Sequence, residues 1–292
     1  MNKLAVLLTC FNRKDKTIAA LTALHQAYEN AENDWTMSIY LTDDGSTDGT
    51  FQAVLDKYPE VNILKGNGSL YWAGGMRNSW RQAVKSDYDA YLLLNDDTFV
   101  YPSLFDKVKS THLHAIDNFG EGGVYVGSTV DSKTKKLTYG GSVFTNRFLA
   151  TMKRLQPGEQ PISCELGNAN IMWVSKNVVE KIGILSEGYL HGMADFDYTM
   201  KATKKNLPVL VMPGTVGECV NDHSNKYVKF AKLSLKERYK MLVNPIGFDF
   251  KSQSHYMKKH FPIRYPFVVL AGYFKVLLPN IYYKFLYANR KS

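Results

Sequence analysis

Ala90-Tyr91-Leu92-Leu93-Leu94-Asn95-Asp96-Asp97 is an apolar run of strand length that stops abruptly in an amide and two acids. An unbroken run of this kind reads as a strand buried on both faces, the hallmark of a parallel sheet. The same pattern occurs earlier, where Met37 to Thr42 runs into Asp43-Asp44-Gly45-Ser46. Working outward, Lys3 to Thr9 reads as a first buried strand, and Asp15 as the cap of a helix reaching about Glu29. Met37 to Thr42 is the second strand, Thr47 to Lys57 a short helix, and Val61 to Lys65 the third strand. A helix from Gly75 to Ser86 and the strand Ala90 to Leu94 complete the series. Strands alternating with helices imply an α/β fold with a mostly parallel central sheet and right-handed crossovers.

The second half is less regular. Gly123 to Val130, Leu137 to Gly141, Ile171 to Val174 and Val209 to Met212 read as strands. Lys176 to Ile182 and Asp195 to Lys205 read as helices, and the chain from Ser234 onward as mostly helical. A division into 1–225 and a basic, aromatic-rich helical extension 226–292 follows from composition rather than from any linker. No internal repeat interrupts either part.

Three cysteines (Cys10, Cys164, Cys219) without C-x-x-C spacing argue against a disulfide framework or a zinc site and favour a reducing compartment. Leu4 to Cys10 is short for a signal peptide, and Arg13, Lys14 and Lys16 follow with no small-residue cleavage site, so a buried strand is the better reading. Of 36 Lys/Arg and 27 Asp/Glu, residues 226–292 hold 14 and two (Glu237 and Asp249). That leaves 22 and 25 for residues 1–225, so the two parts carry +12 and −3. The basic character belongs to the end of the chain, where it suits an anionic lipid or polyanion surface or, more plainly, a solvated helical face.

Thr9-Cys10-Phe11-Asn12-Arg13, Asp43-Asp44, Gly66-Asn67-Gly68 and Asn95-Asp96-Asp97 all follow the carboxyl ends of expected strands. Ligands of open parallel sheets bind outside those ends. Acids delivered twice to one edge suit a nucleotide and a divalent cation. Mn2+ or Mg2+ takes carboxylate oxygens and neutralises the charge that develops on a departing diphosphate, and Asp96 and Asp97 supply two such groups. Turn chemistry explains one such cluster better than it explains two. Asp43 and Asp44 suit acceptance from a pyrimidine N–H or a ribose hydroxyl, with Ser46, Thr47 and Asp48 capping the next helix.

Gly66-Asn67-Gly68 and Gly74-Gly75 read as loop that approaches a ligand closely. Arg77 is expected to meet phosphate or Asp96. Tyr71 and Trp72 offer flat faces for a sugar or base, or for packing. No G-x-G-x-x-G follows the first strand, which disfavours a nicotinamide dehydrogenase. In His191-Gly192-Met193-Ala194-Asp195-Phe196-Asp197, Asp195 suits a base that takes a proton from an acceptor hydroxyl, while Asp197 points elsewhere on a helix. Both also fit as ordinary first-turn acids, and spacing does not choose. His223 reads as a third metal ligand or a structural histidine. Asn168, Asn170 and His191 are placed near the acceptor.

The stretches Thr9 to Arg13, Asp43 to Thr50, Gly66 to Asn78, Leu92 to Asp97 and Gly188 to Lys201 together resemble family 2 inverting glycosyltransferases of the GT-A fold. The tryptophan-bearing glycine loop is similar to bacterial surface-polysaccharide enzymes, including rhamnosyltransferase-like members. The resemblance implies that Thr9, Asn12, Arg13 and Asp43 hold the nucleotide of a UDP- or dTDP-linked donor. It implies that Asp97 binds the metal with Asp96 near the ribose, that Asp195 is the base, and that His223 joins the metal or diphosphate. It further implies a hexosyl or deoxyhexosyl transfer to a glycan or lipid-linked acceptor, with inversion. Two positions depart from the pattern: Ala194 precedes the base where the family often has Glu, and Lys201 stands where it often has Arg.

Tyr265 to Tyr287 is apolar and aromatic, but Pro266, Lys275, Pro279 and Lys284 interrupt it, so it is a poor spanning helix. An interfacial segment on an anionic membrane is expected, against the alternative of a core or subunit contact. The expected location is cytoplasmic, peripheral on the inner face of the cell membrane. Rival functions are a noncatalytic nucleotide-sugar binding protein and a sugar nucleotidyltransferase. The first needs no base, and the second wants glycines after the first strand. Nucleic acid is disfavoured because the acidic crevice repels phosphate without a metal.

Overall fold

The computed structural model describes residues 2–31, 35–220 and 226–284. The first part runs β1 (Asn2–Cys10), α1 (Lys14–Asn30), β2 (Trp35–Asp43), α2 (Thr50–Lys57), β3 (Asn62–Lys65), α3 (Tyr71–Ala83) and β4 (Ala90–Leu94). Then come β5 (Phe99–Val100), α4 (Leu104–Phe119), β6 (Val124–Val130), β7 (Leu137–Tyr139), β8 (Gly141–Asn146), β9 (Thr151–Arg154), β10 (Ile162–Ser163) and β11 (Leu166–Gly167). β12 (Ile171–Ser175), α5 (Lys176–Ile182), α6 (Ala194–Lys204) and β13 (Val209–Glu218) follow. The chain continues through α7 (Lys226–Ala231), α8 (Leu235–Val243), α9 (Phe250–His260), α10 (Tyr265–Leu277) and α11 (Pro279–Tyr282).

The main sheet has the order β10-β13-β6-β12-β4-β1-β2-β3. β3, β2, β1 and β4 are mutually parallel, as the alternation of strands and helices predicts. β12 enters antiparallel between β4 and β6, and β13 returns parallel to β6. β8, β9 and β11 make a small separate sheet. Because helices cover both faces, β1 is apolar from Leu4 to Leu8: Leu4, Val6 and Leu8 face one core, Ala5 and Leu7 the other. Phe230, Leu242, Phe250, Val276 and Tyr282 form a third, small core within the C-terminal helices, while Tyr256 and Met257 of α9 reach into the core beneath the sheet.

Several boundaries differ from the sequence reading for identifiable reasons. β13 continues to Glu218 because Pro213-Gly214, which reads as a stop, is an irregularity in register through which pairing with β6 resumes, with Gly214 at φ 65°. Leu137 to Gly141 divides at Gly140 (φ 154°), so β7 joins the main sheet and β8 the small one. Helix α4 occupies a stretch with no expected element. Its inward positions Leu104, Val108, Thr111 and Ala115 do have helical spacing, but a threonine dilutes the apolar signal. Asp15 is not the cap of α1; Arg13 holds that position, and Asp15 lies in the first turn.

α3 begins at Tyr71 rather than Gly75, so Gly74 and Gly75 are not loop but the buried first turns of a helix. A Cβ on Gly75 would lie 2.0 Å from Thr9 Oγ1 and 2.8 Å from Thr9 Cβ. The glycine therefore lets α3 lie against β1. Alanine would improve helix propensity by about 1 kcal/mol, but overpacking costs about 1–3 kcal/mol and the clash is with a fixed Cβ. Gly75→Ala is accordingly expected to lower stability by about 1–2 kcal/mol in urea unfolding, and an unchanged or raised midpoint would contradict this packing account.

Candidate active site

The Asp43–Thr50 segment stitches three loops together at the carboxyl edge. Cys10 is in register with Asp43, and Asp43 with Lys65, so the loops after β1, β2 and β3 emerge side by side. Asp43 Oδ1 accepts from the Ser46 amide at 2.8 Å. Asp44 accepts from the Gly68 amide with one oxygen and from the Tyr71 amide with the other, both at 2.9 Å. Ser46 Oγ accepts from the Asn12 amide, and Asn12 Oδ1 accepts from the Thr47 amide at 2.7 Å. Asp48 accepts from the amides of Lys14 and Thr50, each at 3.0 Å, and so serves the amino ends of both α1 and α2. The Thr50 hydroxyl, which also donates to it, and then these amides hold the Asp48 carboxyl below its usual pKa. The expected cap of α2 by Ser46, Thr47 and Asp48 is not formed: Gly49 holds the N-cap position, Ser46 and Thr47 meet Asn12, and Asp48 reaches the first helical amide.

Asp44, expected to meet ligand, is thus engaged by backbone and starts α3. Gly45 (φ 84°) and Gly68 (φ 80°) approach so closely that a Cβ on Gly45 would be 3.3 Å from the Gly68 nitrogen. Asn67 is exposed and accepts from Ser69. The structure places Arg77 away from Asp96. Its guanidinium, buried to 5% exposure, donates to the carbonyls of Ser186 (3.0 Å) and Tyr189 (2.7 Å) and pairs with Glu187. Arg77 therefore ties α3 to the segment ahead of α6, where buried carbonyls need donors.

Arg13 bridges the other acidic cluster, with Nη1 2.5 Å from Asp97 and 3.3 Å from Asp96. Asp96 is only 6% exposed, and its pKa is pushed up to about 7 by burial, partly offset by Arg13 and reinforced by Asp97. Thr17 Oγ1 lies 3.5 Å from its second oxygen. Asn95 Oδ1 accepts from the Trp72 indole N–H at 2.7 Å, which fixes the ring. Thr9, Cys10, Phe11, Arg13, Asp44, Gly68, Tyr71, Trp72, Asp96, His191 and Ile246 line one cleft of about 210 Å³. The four expected loop motifs are thereby brought together.

Asp97 and Asp195, neither of which lines that cleft, are connected through β12 and the end of β13. Asp97 Oδ1 faces Cys219 Sγ at 3.8 Å, and Cys219 lies 3.5 Å from Asn170 Nδ2. Burial, with Asp97 alongside, raises the Cys219 thiol to about 11. The Asn170 carbonyl accepts from the Asn95 amide, because β12 runs antiparallel to β4 and so begins where β4 ends. Two residues back, Asn168 Nδ2 donates to Asp195 Oδ2 at 3.4 Å, and the Phe196 amide donates to Oδ1 at 2.8 Å. Burial raises the Asp195 pKa against those bonds.

Asp197, fully buried, takes a different part. It accepts from His260 Nε2 (2.6 Å), Lys259 Nζ (2.7 Å) and Tyr189 Oη (3.0 Å). Burial alone would raise its pKa, but these partners outweigh it and hold the carboxyl low. α9 also holds the loop before α6: Asp249 accepts from the Gly192 amide at 2.8 Å and Ser252 from the Leu190 amide at 3.1 Å.

No group of three or more His, Cys, Asp or Glu among the described residues is placed to hold a metal, and His223 lies outside the described residues. A hard cation held together with phosphate needs only one or two protein carboxylates. Adjacent Asp96 and Asp97, two carboxyls beside one guanidinium, fit that requirement. The sequence reading passes over Cys219, Ile246, Asp249 and His260. Cys219 follows a strand that reads as ending six residues early, at Met212 rather than Glu218, and the others lie in the extension, far along the chain.

No protein-family model and no curated protein matches the sequence. Solved structures do match. The crystal structure of S. aureus TarS 1-349 is 14% identical, covers 95% of this chain and 81% of its own, and gives a TM-score of 0.52. The mannosyltransferase PcManGT from Pyrobaculum calidifontis, in complex with GDP-Man and Mn2+, is 10% identical over 99% of this chain and 79% of its own (TM-score 0.52). S. aureus TarS 1-349 in complex with UDP-GlcNAc is 12% identical over 100% and 78% (TM-score 0.51). The chain has the GT-A fold. At these identities the likeness speaks for architecture, as the sequence resemblance implies.

The depressed pKa of Asp197 gives a pH-dependent contribution to stability. A carboxyl lowered on folding stabilises above its unfolded pKa of about 3.9, and that stability is lost as pH falls through the folded value. Asp197→Asn should cost about 2–3 kcal/mol at neutral pH, discounted from a fully buried pair because Lys259 is partly exposed. The gap between variant and parent should narrow below about pH 4 in denaturant titrations. An equal gap at both pH values would show that Asp197 acts through packing alone.

Proposed function

We propose that the protein is a metal-assisted, inverting glycosyltransferase acting on a UDP- or dTDP-linked sugar and a glycan or lipid-linked glycan acceptor. The observation that carries this reading is the single cleft into which Arg13, Asp44, Trp72, Asp96 and His191 converge from separate loops of the sheet edge. The nucleotide is assigned to the β1–β2 side. There Asp43 Oδ2, which takes no hydrogen bond among the described residues, accepts from the base, with Thr9, Phe11 and Asn12 around it. Asn67, Gly68, Trp72 and Asn95 bound the sugar.

Asp97, with Asp96 beside it, would hold Mn2+ or Mg2+. When bound, such an ion neutralises charge on the departing diphosphate. Arg13, already between both acids, supplies a second positive charge to the same phosphates. In transfer, the acceptor oxygen forms a bond to the anomeric carbon from the face opposite the leaving group. The carbon–oxygen bond to the diphosphate breaks with its electron pair, and Asp195 takes the acceptor proton. Asn168 and the Phe196 amide fix the orientation of that carboxylate. His191, on the cleft wall, and Asn170, next to Asp97, stand on the acceptor side. A binding module has no use for a carboxylate whose basicity is raised in this way.

A screen of UDP- and dTDP-linked sugars by thermal shift, with and without chelator, tests the donor and metal together. A true donor at about 100 times its Kd should add about 2.7 kcal/mol of stability. Asp97→Ala should remove the metal-dependent part of that gain and the activity with it. Full transfer in chelator would rule out the metal assignment.

Asp195→Asn separates base from scaffold. It is expected to lower kcat by about 100- to 10,000-fold while donor stabilisation persists. Normal turnover of this variant would remove Asp195 from the chemistry.

A further inference from the structure

Helix α10 carries an apolar stripe that the other described residues leave uncovered. Its inner side packs tightly: Gly272 lies so near Phe250 that a Cβ would fall 2.3 Å from the ring, and Val276 is buried in the small core. On the outer side, Ile263 (71% exposed), Phe267 (68%), Leu270 (66%) and Leu277 (61%) stand in line, with Tyr273 between them and Ile281 beyond. Steps of three and four residues place Phe267, Leu270, Tyr273 and Leu277 on one face of α10, with Ile263 in the turn before it and Ile281 in α11. Single exposed apolar residues are ordinary, but a continuous row this apolar marks a contact surface.

We infer that this stripe docks the protein in the plane of an anionic lipid bilayer. Charge decides between occupants. The extension carries +12, and its two acids are both engaged, Glu237 in a capping box with Ser234 and Asp249 at the Gly192 amide. Lys258 precedes the stripe, Arg264 falls within it and Lys284 follows it, while Lys259 is engaged by Asp197 and Lys275 lies over the rings of Phe248 and Tyr282. A second copy would bring a like charge of the same size against this face. An anionic leaflet instead attracts each base by about 1 kcal/mol near its surface. No helix among the described residues is long and apolar enough to cross a membrane. At 13 residues α10 measures about 20 Å against a hydrocarbon thickness of about 30 Å, which suits a helix lying in the interface.

The cleft is joined to this surface. Ile246, between α8 and α9, lines it, and α9 holds the loop before Asp195. Docking therefore serves a lipid-linked acceptor; that purpose rests on the transferase reading, whereas the docking does not.

Sedimentation of the full chain with phosphatidylcholine vesicles, and with phosphatidylcholine–phosphatidylglycerol vesicles at low and high salt, is the test. Pelleting is expected with the anionic vesicles at low salt, reduced at high salt and on neutral vesicles. Phe267→Ser with Leu270→Ser, both at exposed positions, should weaken binding at least about tenfold while nucleotide-sugar stabilisation is unchanged. No pelleting at low salt, undiminished pelleting of the double variant, or a dimer in light scattering that the double variant abolishes would each overturn the inference. Vesicle binding without any donor response would instead fail the transferase reading and leave this one standing.

Discussion

Arg13 sits between Asp96 and Asp97, and the arrangement of the sheet edge depends on that contact. Asp96 is nearly out of water, and an isolated buried carboxylate has a strong tendency to protonate. The guanidinium opposes that tendency without cancelling it, leaving a pKa of about 7. Such an edge holds surplus negative potential that a cation or a positively charged ligand group relieves. The acids at the end of β2 and in the loop after it have a different part. Asp43, Asp44 and Asp48 are offset by backbone amides at loop turns and helix starts, so they build the walls of the cleft while Asp96 and Asp97 hold its charge.

This division explains what could be read from the residues and what could not. β1 to β4 were legible because a strand buried on both faces is a short unbroken apolar run, and Ala90–Leu94 matches residue for residue. Convergence of the acidic motifs followed from parallel topology alone. Helix starts were less legible, since their caps come from afar: Asp48 serves α1 from 34 positions away and Asp44 serves α3 from 27. A local reading looks for the cap next door and chooses Asp15 or Gly75. Gly74 and Gly75 carry the same lesson. A glycine pair reads as loop, yet here its purpose is the close approach of α3 to Thr9.

Arg77 failed for a different reason. Its sequence position, near a helix start beside a glycine loop, is that of a phosphate ligand. What decides its direction is a set of buried carbonyls at Ser186 and Tyr189, more than 100 residues downstream. No spacing rule contains that information. Cys219 was hidden likewise, behind a Pro-Gly pair that ordinarily ends a strand and here only shifts its register.

The most distant of these couplings also joins the edge of the sheet to the C-terminal helices. Asp195 and Asp197 are two residues apart and have opposite electrostatic settings. One is pushed up by burial; the other is held low by Lys259 and His260 of α9. Because α6 carries both, the helix that presents the raised carboxylate is anchored through the lowered one to the basic extension. α9 fixes the loop ahead of α6 as well, through Asp249 and Ser252. A separately folded tail would place charge near a membrane without constraining the site. Here α9, which anchors the helix carrying Asp195, directly precedes α10 with its exposed apolar face. Orientation of the cleft relative to that face is therefore built into the packing of α9 rather than left to a linker.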